Sequence, residues 1–208
     1  MSARSLSAAE LADICGELAG IFGAPLELED IRALRRHDSF GPLQALGADP
    51  LYATDLRRAL AAVLAPASDE EAVSLLNSSY CQLFLGIGGA AGAPPFESAY
   101  RGAGRLFQGP ADSMAELLAS CGLQPADGFA EPPDHVAIEL SALALLIRPG
   151  AGMPDIADGQ AVALRERLVE WVPAFARACA RFDRSGFYAP LAAVLTNLLE
   201  DGTLALAT

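Results

Sequence analysis

The stretch Glu131-Pro132-Pro133-Asp134-His135-Val136-Ala137-Ile138-Glu139-Leu140-Ser141-Ala142-Leu143-Ala144-Leu145-Leu146-Ile147 decides how this chain folds. Proline suits the first position of a helix, because its ring presets φ and its missing N–H is one the first turn leaves unpaired. Asp134 beside it suits the positive end of the helix dipole. From Val136 the run is apolar as far as Ile147, interrupted only by Glu139 and Ser141. Val136, Leu140, Leu143 and Ile147 repeat along one face. His135 and Glu139 stand four apart and share a neighbouring face, so an ion pair favouring the charged imidazole is expected. The spacing thus predicts an acidic cluster, with one histidine, at the mouth of an apolar helix. Two readings fit it: a well-capped buried helix with a satisfied histidine, or a binding site built on the helix entrance.

Helical punctuation continues on both sides. Ser7-Ala8-Ala9-Glu10 and Ser68-Asp69-Glu70-Glu71 are capping boxes, in which hydroxyl and carboxylate satisfy first-turn amides. Leu11, Ile14, Leu18 and Phe22 repeat at helical spacing until Gly23-Ala24-Pro25 stops the run. Further helices are expected over about 28–36, from Pro50 to Leu64, from Ser68 to about Leu85, from Glu97 to Phe107, and after Asp112. Two more are expected over about 160–182, bent or broken at Pro173, and about 187–200. Residues 86–95, 124–133 and 149–154 are dense in glycine or proline and read as loops. Alanine and leucine dominate the apolar residues, whereas β-branched and aromatic types are sparse, and no strand alternation stands out. The expectation is an all-α fold: one compact multi-helix domain over residues 1–208, with Gly/Pro-rich functional loops.

Composition narrows the function classes. A formal net charge of −12 argues against nucleic acid as a partner and suits a basic peptide. No apolar run reaches the length of a membrane span and no secretory h-region follows Met1, so a cytoplasmic protein without stable membrane insertion is expected. Cys15, Cys81, Cys121 and Cys179 are scattered without a CxxC pair, and the chain has only two histidines. That is poor material for zinc and reads as buried free thiols, with no metal or cofactor expected. Gly86-Ile87-Gly88-Gly89-Ala90-Ala91 fits a loose G-x-G-x-x-A but follows a helix and runs into Pro94-Pro95, unlike a dinucleotide turn. No Gly-x-Ser-x-Gly exists, His37 ends a polar helix, and no catalytic constellation emerges.

Three ordered blocks resemble the TorD/DmsD family of redox-enzyme maturation chaperones, with NarJ as a more distant relative. Tyr80-Cys81-Gln82-Leu83-Phe84-Leu85-Gly86 is similar to the family's Tyr-x-x-Leu-Phe block. Pro94-Pro95-Phe96-Glu97-Ser98-Ala99-Tyr100 resembles its Pro-Pro-aromatic-x-Ser-x-Tyr block, with Phe96 where many relatives carry Trp or Tyr. Glu131-Pro132-Pro133-Asp134-His135 matches its Glu-x-x-Asp-His block, and Trp171 to Phe175 with Phe187-Tyr188 looks like its C-terminal aromatic pattern. The resemblance implies an all-α protein without catalysis of its own. It implies binding to the twin-arginine leader, or the apo form, of a molybdopterin oxidoreductase, holding back export until cofactor insertion, as monomer or dimer. On that reading Glu131 and Asp134 pair with leader arginines, and His135 binds or positions. Ser98, in the Pro-Pro-aromatic block, belongs to the same leader-binding site, and Leu83, Phe84, Phe96 and Tyr100 line an apolar groove. The alternatives are a helical adaptor for a folded enzyme and a nucleotide-dependent enzyme using the 86–95 loop.

Overall fold

The computed structural model describes residues 6–87, 92–101, 109–125, 130–150 and 157–200. Its helices are α1 (Ala8–Gly23), α2 (Leu28–His37), α3 (Pro50–Leu64), α4 (Asp69–Phe84), α5 (Gly109–Ser120), α6 (Val136–Ile147), α7 (Ala157–Phe182) and α8 (Tyr188–Glu200). Two 3-10 turns, Pro42–Ala48 and Glu97–Ala99, complete the regular structure, and the fold is all-α. The capping box at Ser7 forms in full, and that at Ser68 in one of its two hydrogen bonds. The Ser7 hydroxyl accepts from Glu10 N at 3.3 Å while Glu10 returns to Ser7 N at 2.9 Å. At α4, Ser68 accepts from Glu71 N at 3.1 Å, but Glu71 reaches one residue further back, to Ala67 N at 2.8 Å.

Contacts divide the chain into two compact units, one of residues 1–23, 95–172 and 198–208, the other of 24–94 and 173–197. In the first unit α1 packs along α6. Ten of the twelve residues of α6 are buried, so it is apolar nearly all round, as a central helix must be. Leu11, Ile14, Leu18 and Phe22 of α1 and Val136, Leu140, Leu143 and Ile147 of α6 are buried there, as the periodicity predicts. Leu164, Leu168 and Trp171 of α7 are buried in the same unit. Of the bend or break expected at Pro173, the break does not occur, since α7 continues through it.

In the second unit α2 packs on α3 and α4. Arg35 joins these elements, donating to the carbonyls of Val63 (2.9 Å) and Pro66 (3.2 Å) and pairing with Asp69 at 3.0 Å. Tyr80, Phe84, Phe175 and Tyr188 form an aromatic core with edge-to-face contacts at 5.0 and 5.1 Å. Among the free thiols, Cys15, Cys121 and Cys179 are buried and Cys81 is half-buried, and burial raises the Cys15 thiol to about 12.

The glycine-rich loop is described only at its ends; Gly88 to Ala91, on which the nucleotide alternative turns, lie outside the described residues. Gly86 takes a left-handed conformation (φ +67°), and Ile87 N returns to Cys81 O at 3.2 Å. Beyond the gap Ala93 N donates to Leu83 O at 2.7 Å, which draws the chain tight against the end of α4. A Cβ on Gly92 would stand 2.7 Å from Leu83 O and 3.2 Å from Gln82 O, both backbone atoms that cannot swing away. Gly92→Ala is expected to cost on the order of 1–3 kcal/mol in urea denaturation. An unchanged midpoint would contradict this packing.

Candidate functional site

Two of the three sequence blocks meet in the first unit. Val136 N donates to Pro95 O at 2.8 Å and Glu97 N donates to Asp134 O at 3.0 Å, closing an antiparallel bridge between Phe96 and His135. Of the helix expected over 97–107, the start is the 3-10 turn Glu97–Ala99, and residues 102–108 lie outside the described ones. Asp134 adds a side-chain tie, its Oδ2 accepting from Ser98 N at 2.9 Å.

The helix entrance is built differently from the expectation that placed proline at its first position. His135 N donates to Pro132 O at 3.0 Å, so Pro133 and Asp134 are the middle of a turn, where proline's fixed φ is equally apt. Helix α6 begins only at Val136. His135 is its cap, with Nδ1 accepting from Ala137 N at 3.1 Å and the ring edge-to-face with Phe96 at 5.0 Å. That hydrogen bond requires an unprotonated Nδ1, which places the proton of the neutral ring on Nε2. His135 is 2% exposed, and burial pulls its pKa from 6.5 down to about 4 against the opposing charge of Asp134. The charged imidazole expected from the four-residue spacing to Glu139 is therefore corrected to a neutral one. Desolvation outweighs the nearby carboxylates.

Beneath the bridge lies a network that the spacing argument did not find. Glu139 is 0% exposed, and its Oε2 accepts from the Trp171 indole N–H at 3.0 Å. Arg167 Nε stands 3.5 Å from Glu139 Oε1, an ionic contact and not an aligned hydrogen bond. The same guanidinium pairs through Nη2 with Glu97 Oε2 and donates to the Pro110 carbonyl at the start of α5. Arg101 holds the other oxygen of Glu97 at 2.6 Å and reaches Glu170 at 2.5 Å. Burial, and then the charge of Glu97, raise the Glu139 carboxyl well above the ordinary range, with Arg167 and the Trp171 hydrogen bond opposing. The buried polar residues among those described are Ser79, Glu97, Ser98, Asp134, His135 and Glu139, and all but Ser79 belong to this assembly. A sequence signal did exist: Arg167 and Trp171 are four apart on α7, a donor pair on one face.

The sequence-derived site residues divide accordingly. Ser98, Asp134 and His135 are buried together, with Phe96, Tyr100 and Glu131 half-exposed in the joined segments. Tyr100 stacks on Trp171 at 5.8 Å. Asp134 Oδ1 and Ser98 Oγ are buried without a hydrogen bond. Leu83 and Phe84 belong to the other unit, where both are buried, Phe84 within the aromatic core.

Residues 49–177, which contain all three blocks, match the model of the nitrate reductase delta subunit family, and the chain belongs to that family. It is 29% identical over 184 residues to a chaperone protein TorD of Photobacterium profundum, covering 85% of each chain. A TorD of Escherichia coli is 28% identical over 199 residues, covering 94% of this chain and 96% of that one. A redox enzyme maturation protein of Archaeoglobus fulgidus, described as putative, has the same fold, with a TM-score of 0.58 and 17% identity over 96% of this chain and 98% of that one. The class so defined is a maturation chaperone of the TorD type and not an enzyme.

Stability should report the state of His135. Its folded pKa is depressed, so its contribution is complete above 6.5 and is lost as pH falls towards 4. Glu139 acts oppositely, because a raised carboxyl pKa favours the fold on acidification. His135→Asn keeps a capping side chain and removes only the first effect. Between pH 7 and pH 5 the variant should gain about 2 kcal/mol relative to the parent in urea denaturation. A constant difference between the two proteins would show that His135 is not buried neutral.

Proposed function

We propose that this chain binds the twin-arginine leader, or the apo form, of a molybdopterin oxidoreductase in the cytoplasm, and holds back export until the cofactor is inserted. One observation carries the reading. Two of the three blocks that the family resemblance assigns to ligand binding are joined by the Phe96–His135 bridge, with a half-exposed carboxylate and two half-exposed aromatic rings in the joined segments. A leader of this kind has a basic region followed by an apolar one, so its receptor needs carboxylates beside apolar surface. Glu131 supplies an accessible carboxylate suited to a guanidinium fork. Phe96 and Tyr100, each partly exposed, add apolar surface beside it for the apolar region of the leader. Ser98, Asp134 and His135 hold the edge in place from within, and the uncommitted Asp134 Oδ1 and Ser98 Oγ remain for a donor that penetrates it. The net charge of −12 steers a cationic peptide inwards, an attraction that salt weakens.

Calorimetry with a synthetic twin-arginine peptide tests this. The double variant Asp134→Ala/His135→Ala should bind about tenfold or more weakly while circular dichroism shows unchanged helix content. Glu131→Gln, which removes one accessible charge, should lose only about two- to fivefold. Unchanged affinity in the double variant would reject the site. Equal affinity for a peptide with both arginines replaced by alanine would reject the ligand.

A further inference from the structure

We propose that Arg167 is the positioning residue of the leader-binding edge, its guanidinium setting where the Phe96–Ser98 segment stands against Asp134 and His135. The proposal rests on the leader reading above but concerns a residue outside both blocks. Arg167 is 13% exposed and meets three separate pieces of chain: Glu97 beside the bridge, Glu139 one turn into α6, and the Pro110 carbonyl of α5. Trp171, one turn further along α7, donates to the other oxygen of Glu139, so one carboxylate meets an indole donor and a guanidinium charge from the same helix. Glu97 is the lever of the arrangement. Its side chain is held by Arg167, its amide makes the bridge to Asp134 O, and the next amide, of Ser98, binds Asp134 Oδ2. A shift of Glu97 therefore moves both ties between the blocks.

The planar fork of arginine can serve these divergent acceptors together, whereas a lysine ammonium presents a single point of charge. Removing Arg167 alone would also strand buried carboxylates and threaten folding. The informative variant is Arg167→Met/Glu139→Gln, which removes Arg167 together with the buried acid that faces it and leaves Glu97 paired with Arg101. Its thermal midpoint should lie close to that of the parent. Amide exchange at Glu97, Ser98 and Val136 should nevertheless accelerate about tenfold or more, and affinity for the twin-arginine peptide should fall by a similar factor. Arg167→Lys should fall between the two on both readouts.

Parent-like exchange at these three amides in the double variant would overturn the proposal, as would parent-like peptide affinity alongside accelerated exchange. Peptide binding absent from the parent protein itself would defeat the leader reading alone. In that case accelerated exchange still upholds Arg167 as the residue that positions the bridge, and unchanged exchange overturns it.

Discussion

Glu97, Asp134 and Glu139 are three carboxylates almost wholly removed from water, and such groups persist in a fold only when hydrogen bonds, counter-charges or a retained proton compensate their lost hydration. Here the compensation differs for each acid. Asp134 accepts an amide, Glu97 takes two guanidinium groups, and Glu139 takes an indole N–H and a more distant arginine while its carboxyl is driven towards the protonated form. Each partner comes from a different stretch of chain, so satisfying the acids brings the 95–101 segment, the entrance of α6 and the middle of α7 into one arrangement. An apolar replacement of similar volume would often be as stable or more so. What the polar version adds is direction, since hydrogen bonds tolerate far less displacement than apolar contacts do.

That constraint explains which parts of the molecule were legible in the sequence. The helices were, because capping boxes and apolar periodicity are local signals: α1, α3, α4 and α8 fall close to where Ser7, Pro50, Ser68 and Phe187 predict them. Of the residues that the resemblance assigned to one site, Phe96, Ser98, Asp134 and His135 meet, whereas Leu83 and Phe84 belong to the other unit. The protonation of His135 was not legible, because residue spacing shows a neighbouring carboxylate but not the loss of water around the ring. The same gap hid the role of Glu97, which reads as an ordinary helix-start acid until its amide is seen bound to Asp134 O. Arg167 stood out only by its spacing to Trp171, and what it binds was hidden for a third reason. Its partners lie 28 and 70 positions away in sequence, by subtraction of Glu139 and Glu97 from 167, and no local pattern encodes them.

Family membership and burial together reshape the division of labour at the site. Motif residues of a binding protein are readily taken as the ones that touch the ligand, yet the aspartate and histidine of this chain are 0% and 2% exposed. Their chemistry is spent inside: an amide bound by the aspartate and a helix capped by the imidazole. The neighbours they hold, Phe96 and Glu131, keep accessible surface. On the proposed reading the motif marks the frame of a recognition edge, and contact falls on the side chains that the frame orients.

The account stands or falls on His135 being closed inside this frame, and its imidazole can be followed directly by nitrogen–proton correlation spectroscopy from pH 3.5 to pH 8, with His37→Gln used to assign the ring. The account predicts titration near 4 and a proton on Nε2 alone at neutral pH, with Nδ1 retained as the acceptor for Ala137 N. A ring titrating at about 6.5 or above, protonated on both nitrogens just below that pH, would mean that the two blocks do not close over Asp134 and His135.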